Sequence, residues 1–342
     1  MMVPKSPVRA RLILVARWVL IVGVIGFATY YFARQWSGVR TALATIPVVS
    51  IAASFAVQIL GLFAGTLSWV TLLNGLGDKV SVARGAQISL VGGLGKYVPG
   101  SLWAYVLQME LGRAHGIVRG RVLIASLYSA GVGVVASLFL GGLAMPTVMA
   151  GHRDLAWLFL LLPVGLVCLH PKVMTWLATL ILRIFRRPPL DYVVSFGTVI
   201  RAFLLTLVCY SLYGLHLWFL VNAMVDPDAR TLILLTGAIS LGFTIGILAF
   251  VLPSGIGARE AILIGAMGLV LTVSQGSAIS LISRAMFVAS DLVVAGAAAL
   301  LALDMRRRLL DEDELELIAN YPDDLDVETS GPLASSEADD AT

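Results

Sequence analysis

Apolar runs of about 20 residues recur along this chain from residue 12 to residue 303, and no other feature restricts its fold as much. At about 1.5 Å of rise per residue, each run can cross the ~30 Å hydrocarbon core of a bilayer. Inside that core every backbone N–H and C=O must find its partner within the protein, which leaves helices and closed barrels. Barrel strands alternate apolar and polar residues over stretches of about 10, whereas these runs are apolar on every face. An all-α, polytopic transmembrane helical bundle is therefore expected. A hydrophobic share of 58% with only 13% charged residues excludes a water-soluble domain of ordinary composition.

The expected spans are residues 12–33, 47–73, 118–143, 155–170, 193–222, 231–251, 257–274 and 277–303. Lys and Arg are retained on the cytoplasmic side of short connections. They cluster before residue 18, at Arg113, Arg119 and Arg121, between Lys172 and Arg187, and at Arg306 to Arg308. Placing all four clusters inside requires the segment 84–111 to enter and leave by one face. About eight crossings plus a re-entrant hairpin follow, with both termini cytoplasmic. Residues 171–187 are apolar but short, with basic ends, and read as an interfacial amphipathic helix.

Charge also divides the chain along its length. Residues 1–11 form a cytoplasmic flank and 12–305 a membrane domain. A basic stop then leads into an acidic tail over 306–342. Twelve of the 21 acidic residues lie from Asp311 onward, where no Lys or Arg occurs. That tail has too few large apolar residues to bury a core and is expected to be disordered.

Within the apolar sequence two stretches break the helical pattern. LGKYVPGSLWAYVLQ covers Leu94 to Gln108, and VLPSGIGAREAILIG covers Val251 to Gly265. Each combines a proline, glycines, a small hydroxyl residue and a cation, then resumes as helix. Proline removes a backbone donor and clashes with the preceding turn, and glycine tolerates the opened backbone. Such backbone is stable at membrane depth only where it is buried in protein or lines a polar cavity. Paired broken helices in two halves of a chain point to a transporter's central site.

Helices restarting after Pro99, Gly100 and Ser101, and after Pro253, Ser254 and Gly255, would present free N–H groups to an anion. Lys96, Arg113, Arg259 and Arg284 add full positive charge nearby. Tyr97, Gly257 and Glu260 complete the candidate set. Structural readings stand beside this one. Lys96 can snorkel to the interface, Arg259 can pair with Glu260, and Arg284 shares a helix face with Asp291 seven residues on. Glu110 and Arg113 form an i,i+3 pair.

Other chemistries find no pattern. GGLGK lacks the spacing and hydroxyl of a phosphate-binding P-loop, and no strand precedes it. The four histidines and two cysteines fall into no metal-ligand or catalytic spacing. No enzymatic activity, cofactor, metal or nucleic-acid partner is expected.

The two stretches resemble the signature regions of the lysylphosphatidylglycerol synthase transmembrane-region family, also called flippase-like membrane proteins. Gly95, Lys96, Tyr97, Pro99 and Gly100 match its GKYxPG element. Pro253, Gly255, Gly257, Arg259 and Glu260 match its PGGxGxRE element, with Ser254 in place of the first glycine. The resemblance implies a membrane domain of the kind that moves an aminoacylated lipid between leaflets. It does not carry over synthase activity, because this chain ends in a short acidic tail where those synthases have a soluble transferase domain. The expectation is a translocator of the cytoplasmic membrane whose ligand is an anionic phospholipid or polyprenyl-linked lipid. An accessory subunit for a lipid-modifying enzyme or glycosyltransferase is the alternative, and a second copy of the chain or such an enzyme is a conceivable partner.

Overall fold

The structure, a computed structural model, describes residues 36–77, 79–98, 102–149, 161–184, 194–249 and 255–319. Among them are eleven α-helices and no strand. These are α1 (Trp36–Thr45), α2 (Val48–Gly75), α3 (Val82–Ala86), α4 (Leu102–Ala114), α5 (Arg119–Met149), α6 (Leu161–Cys168), α7 (Pro171–Ile184), α8 (Phe196–Val221), α9 (Ala229–Leu248), α10 (Ala258–Met267) and α11 (Val273–Ala319). A π-helical turn over Gln87–Val91 and a 3₁₀ turn over Leu94–Tyr97 follow α3. Two compact units divide the chain, residues 1–299 and 300–342.

Five helices among the described residues are long and apolar enough to cross a membrane: Val48–Gly75, Arg119–Pro146, Phe196–Val221, Ala229–Leu248 and Val273–Ala302. They coincide with five expected spans. The first expected span, 12–33, lies outside the described residues, and of 155–170 only the part from residue 161 is described. The expected span 257–274 forms the ten-residue α10 and then a turn. Ten residues rise about 15 Å, half the hydrocarbon thickness, so this segment does not cross as one helix. The tail also differs from expectation, because α11 continues to Ala319, past the basic stop. Its sequence there, RRRLLDEDELELIA, consists almost wholly of strong helix formers, which extend a helix without a core to bury. Residues 320–342 lie outside the described residues.

Small residues set the packing of the first unit. A Cβ on Gly61 would stand 2.6 Å from the Tyr213 ring, and one on Gly75 would stand 2.7 Å from Thr198. These contacts lay α2 antiparallel along α8. Buried hydroxyls lock the same seam, with Ser68 donating to the Ala202 carbonyl at 2.8 Å. His216 sits fully buried between Ser54 (Nδ1 to Oγ, 2.7 Å) and Ser283 (Nε2 to Oγ, 2.9 Å), tying α2, α8 and α11 together. The second helix pair, α5 and α9, is antiparallel as well. A Cβ on Gly237 would meet Ala144 at 2.6 Å, and Ser137 and Thr244 share a hydrogen bond at 2.6 Å.

These contacts fix which chain ends share a side. Leu76, Ile117, Leu169, Met174 and Val194 join one buried cluster, so the connections after α2, before α5, before α7 and before α8 all meet at one end. Lys79, Arg84, Arg113, Arg119, Lys172 and Arg201 are exposed around it. Asp226 and Asp228 stand at the other end, where Asp228 caps α9 by accepting the Thr231 N–H at 2.8 Å.

Candidate ligand-binding site between two broken helices

Both broken stretches fold back on themselves. In the first, a Cβ on Gly92 would lie 2.6 Å from Gln108, and one on Gly95 would lie 2.5 Å from the Ala104 nitrogen. The limb ending at Tyr97 therefore runs against α4 with backbones nearly touching, a packing open only to glycine. Ser126 of α5 donates to Gln108 Oε1 at 2.7 Å and accepts the Trp69 indole N–H at 3.0 Å, which fastens this hairpin to the bundle. The hairpin as a whole begins and ends at the basic end.

The second hairpin consists of α9 and α10. A Cβ on Gly255 would stand 2.4 Å from the Gly246 Cα, and Gly255 and Gly257 hold φ values of +65° and +87°. Left-handed backbone of this kind costs a side-chain-bearing residue roughly 1 kcal/mol or more. Glu260 closes the restart of α10 by accepting the Gly257 N–H at 2.7 Å, the carboxylate half of a capping box, placed at the positive helix end. Because α9 starts at the acidic end, this hairpin enters the bundle opposite to the first.

Lys96, Tyr97, Phe243, Arg259, Arg284, Phe287, Val288 and Asp291 line the pocket between the two hairpins and α11. Asp291, 7% exposed, takes the Lys96 ammonium at 2.5 Å and the Tyr97 hydroxyl at 2.5 Å. Glu260 takes the Arg284 guanidinium. Arg259 is only 4% exposed and packs against two phenyl rings, 4.1 Å from the Phe243 centroid and 4.3 Å from that of Phe287. Tyr213 supports both rings from behind, at centroid distances of 5.3 and 4.9 Å. The Arg259 Nη2 has no hydrogen-bond partner.

Cation–π contacts offset part of the desolvation of Arg259, at about 0.5–2 kcal/mol each, but they do not neutralise it. A buried charge is normally paired. The pocket therefore holds three cations against two carboxylates, with an unused buried donor on one of its lining residues, around a space of about 10 Å³, room for about one water molecule. Such an arrangement is suited to an anion. A second cavity of about 280 Å³, lined by Trp36, Leu43, Phe55, Ile282, Met286 and neighbouring apolar residues, opens on the opposite face of α11 and contains no charge.

Of the site residues expected from the sequence, Lys96, Tyr97, Arg259 and Arg284 line this pocket, Glu260 supports it, and Gly255 and Gly257 shape the second hairpin. Pro99, Gly100, Ser101, Pro253 and Ser254 lie outside the described residues. Arg113 does not join the others. It is exposed at the basic end and pairs with Glu110 at 3.2 Å, as Arg119 does at 2.7 Å. Glu260 pairs with Arg284 and not with its neighbour Arg259, because adjacent residues on a helix point about 100° apart. Sequence reasoning missed Phe243 and Phe287, since one phenylalanine in an apolar span carries no signal of its own. Asp291 was visible as a rare intramembrane carboxylate, yet its partners come from a segment nearly 200 residues away.

No curated protein and no solved structure matches the chain. Residues 13–295, which include both hairpins and every residue of the pocket, match the family model described as Lysylphosphatidylglycerol synthase TM region, and the chain accordingly belongs to that family.

Proposed function

We propose that the protein is a lipid translocator of the cytoplasmic membrane that binds an anionic headgroup between its two hairpins. The observation that carries this reading is Arg259, a buried guanidinium with a free N–H where two hairpins from opposite ends of the bundle meet. Membership in a membrane family tied to lipid metabolism supports a lipid as the ligand. In the proposed topology the chain crosses six times, by 12–33, α2, α5, 155–170, α8 and α11, and carries one hairpin from each face. Counting α9 and α10 as crossings restores eight with the same orientation, and both termini remain cytoplasmic.

Asp291 and Glu260 then act as resting counter-ions. Asp291 holds the first hairpin on α11 through Lys96 and Tyr97, and Glu260 holds the second through Arg284. Parting either contact opens the pocket toward one side, so a headgroup passes between leaflets without chemical change. Lys96, with its side chain 36% exposed, stands at the mouth and meets the headgroup first.

Purified protein in liposomes should accelerate loss of a fluorescent anionic lipid from the inner leaflet. Arg259→Gln and Lys96→Gln should slow it at least about tenfold, which corresponds to about 1.4 kcal/mol, in protein that still unfolds in one cooperative thermal transition. Rates that do not respond to either change reject the site. Absence of transport together with a stable co-purifying lipid-modifying enzyme supports the accessory role instead.

A further inference from the structure

We infer that the Arg259 pocket selects a headgroup with a single negative charge, the phosphodiester class, over phosphomonoesters and diphosphates; the inference rests on the pocket being the headgroup site. Charge balance is the first argument. Lys96 and Arg284 each have a carboxylate partner, Asp291 and Glu260, and Arg259 has none among the described residues. One negative charge brings the set to neutrality. A second would sit beside two buried carboxylates in a medium where charges interact strongly. The pocket excludes like charge as firmly as it attracts its complement.

The shape of the donor is the second argument. Phe243 and Phe287 pack on the guanidinium at 4.1 and 4.3 Å with their own centroids 5.4 Å apart, so they cover adjoining sides of it and leave the N–H groups on its remaining edge, the unpartnered Nη2 among them, for an anion. A phosphodiester presents two non-bridging oxygens that share one charge, which suits one guanidinium edge. Further phosphate oxygens would find Glu260 and Asp291, acceptors that are 6% and 7% exposed and have no proton to donate.

The test is competition against labelled phosphatidylglycerol bound to the full chain in neutral-detergent micelles at pH 8. The competitors are unlabelled phosphatidylglycerol, phosphatidate, a polyprenyl diphosphate, dimethyl phosphate and inorganic phosphate. Phosphatidylglycerol should compete at least about tenfold better than phosphatidate or the diphosphate. Asp291→Asn, which leaves the set with two excess positive charges, should shrink or reverse that ratio by a comparable factor. Dimethyl phosphate displacing label better than inorganic phosphate places the selection in the group itself, and displacement by lipid alone places it in the group with its chains attached. Either supports single-charge selection. Stronger competition by the diphosphate, lost in Arg259→Gln, overturns the charge argument but leaves the pocket as the headgroup site. Label binding that survives Arg259→Gln unchanged removes the site itself, and with it this inference.

Discussion

Arg259 and Asp291 show how a single side chain acquires a role from its surroundings. Arg259 is adjacent in sequence to Glu260, yet its environment is two phenyl rings and an unused donor. Asp291 has two partners from the first hairpin. Asp291→Asn keeps both contacts in weaker form and should lower unfolding stability by about 2 kcal/mol, the scale of hydrogen bonds to charged groups; differential scanning fluorimetry in detergent reads this directly. His216 has a purely structural place, bridging Ser54 and Ser283 with no exposure. His216→Ala leaves a cavity and unpaired hydroxyls and should cost about 3 kcal/mol, read by the same melting measurement.

At the scale of elements, the glycines separate into those the fold needs and those it tolerates. Gly95 and Gly255 sit where a Cβ would meet backbone at 2.5 and 2.4 Å, whereas a Cβ on Gly93 would meet nothing within 4 Å. Gly95→Ala and Gly255→Ala should each open a hairpin and abolish transport, and Gly93→Ala should leave transport and melting temperature near wild type. A hairpin that accepts alanine at Gly255 would disprove the close approach. Helix ends follow the same local logic. The Thr231 N–H and hydroxyl hold the Asp228 carboxyl below its ordinary value of 3.8, so its contribution is complete above that value and is lost as pH falls through the lower folded one. Asp228→Asn retains an acceptor that does not titrate, and the acid limb of the melting profile below pH 3.8 should flatten. The breaks were legible in sequence, because glycine and proline act on their own backbone.

For the whole molecule, the connections that meet at one end carry most of the exposed cations among the described residues, which under the positive-inside rule supports the proposal that this end is cytoplasmic. With Cys168 and Cys209 replaced by alanine, single cysteines at Lys79, His115 and Lys172 should be labelled by an impermeant maleimide only in inverted vesicles. One at Asp226 should be labelled only in right-side-out cells. Labelling of Lys79→Cys and His115→Cys from different sides would turn the first hairpin into a crossing. Charge counting expects that segment to return to its own side, and this labelling tests it. The second hairpin escaped that count, because α10 and its linkers are as apolar as a span and hydropathy does not register where a helix stops.

Composition and hydropathy alone determined an all-helical membrane protein with two broken helices and cations beside them, since the bilayer's demand for internal backbone bonding acts on each segment separately. The tertiary structure decided everything that depends on segments meeting. It set the hairpins against each other from opposite ends, paired Glu260 with Arg284 and Asp291 with Lys96, and left Arg259, among the described residues of the pocket, as a buried charge without an ion-pair partner. Pairing is a property of distance across the fold, and a row of residues does not contain it.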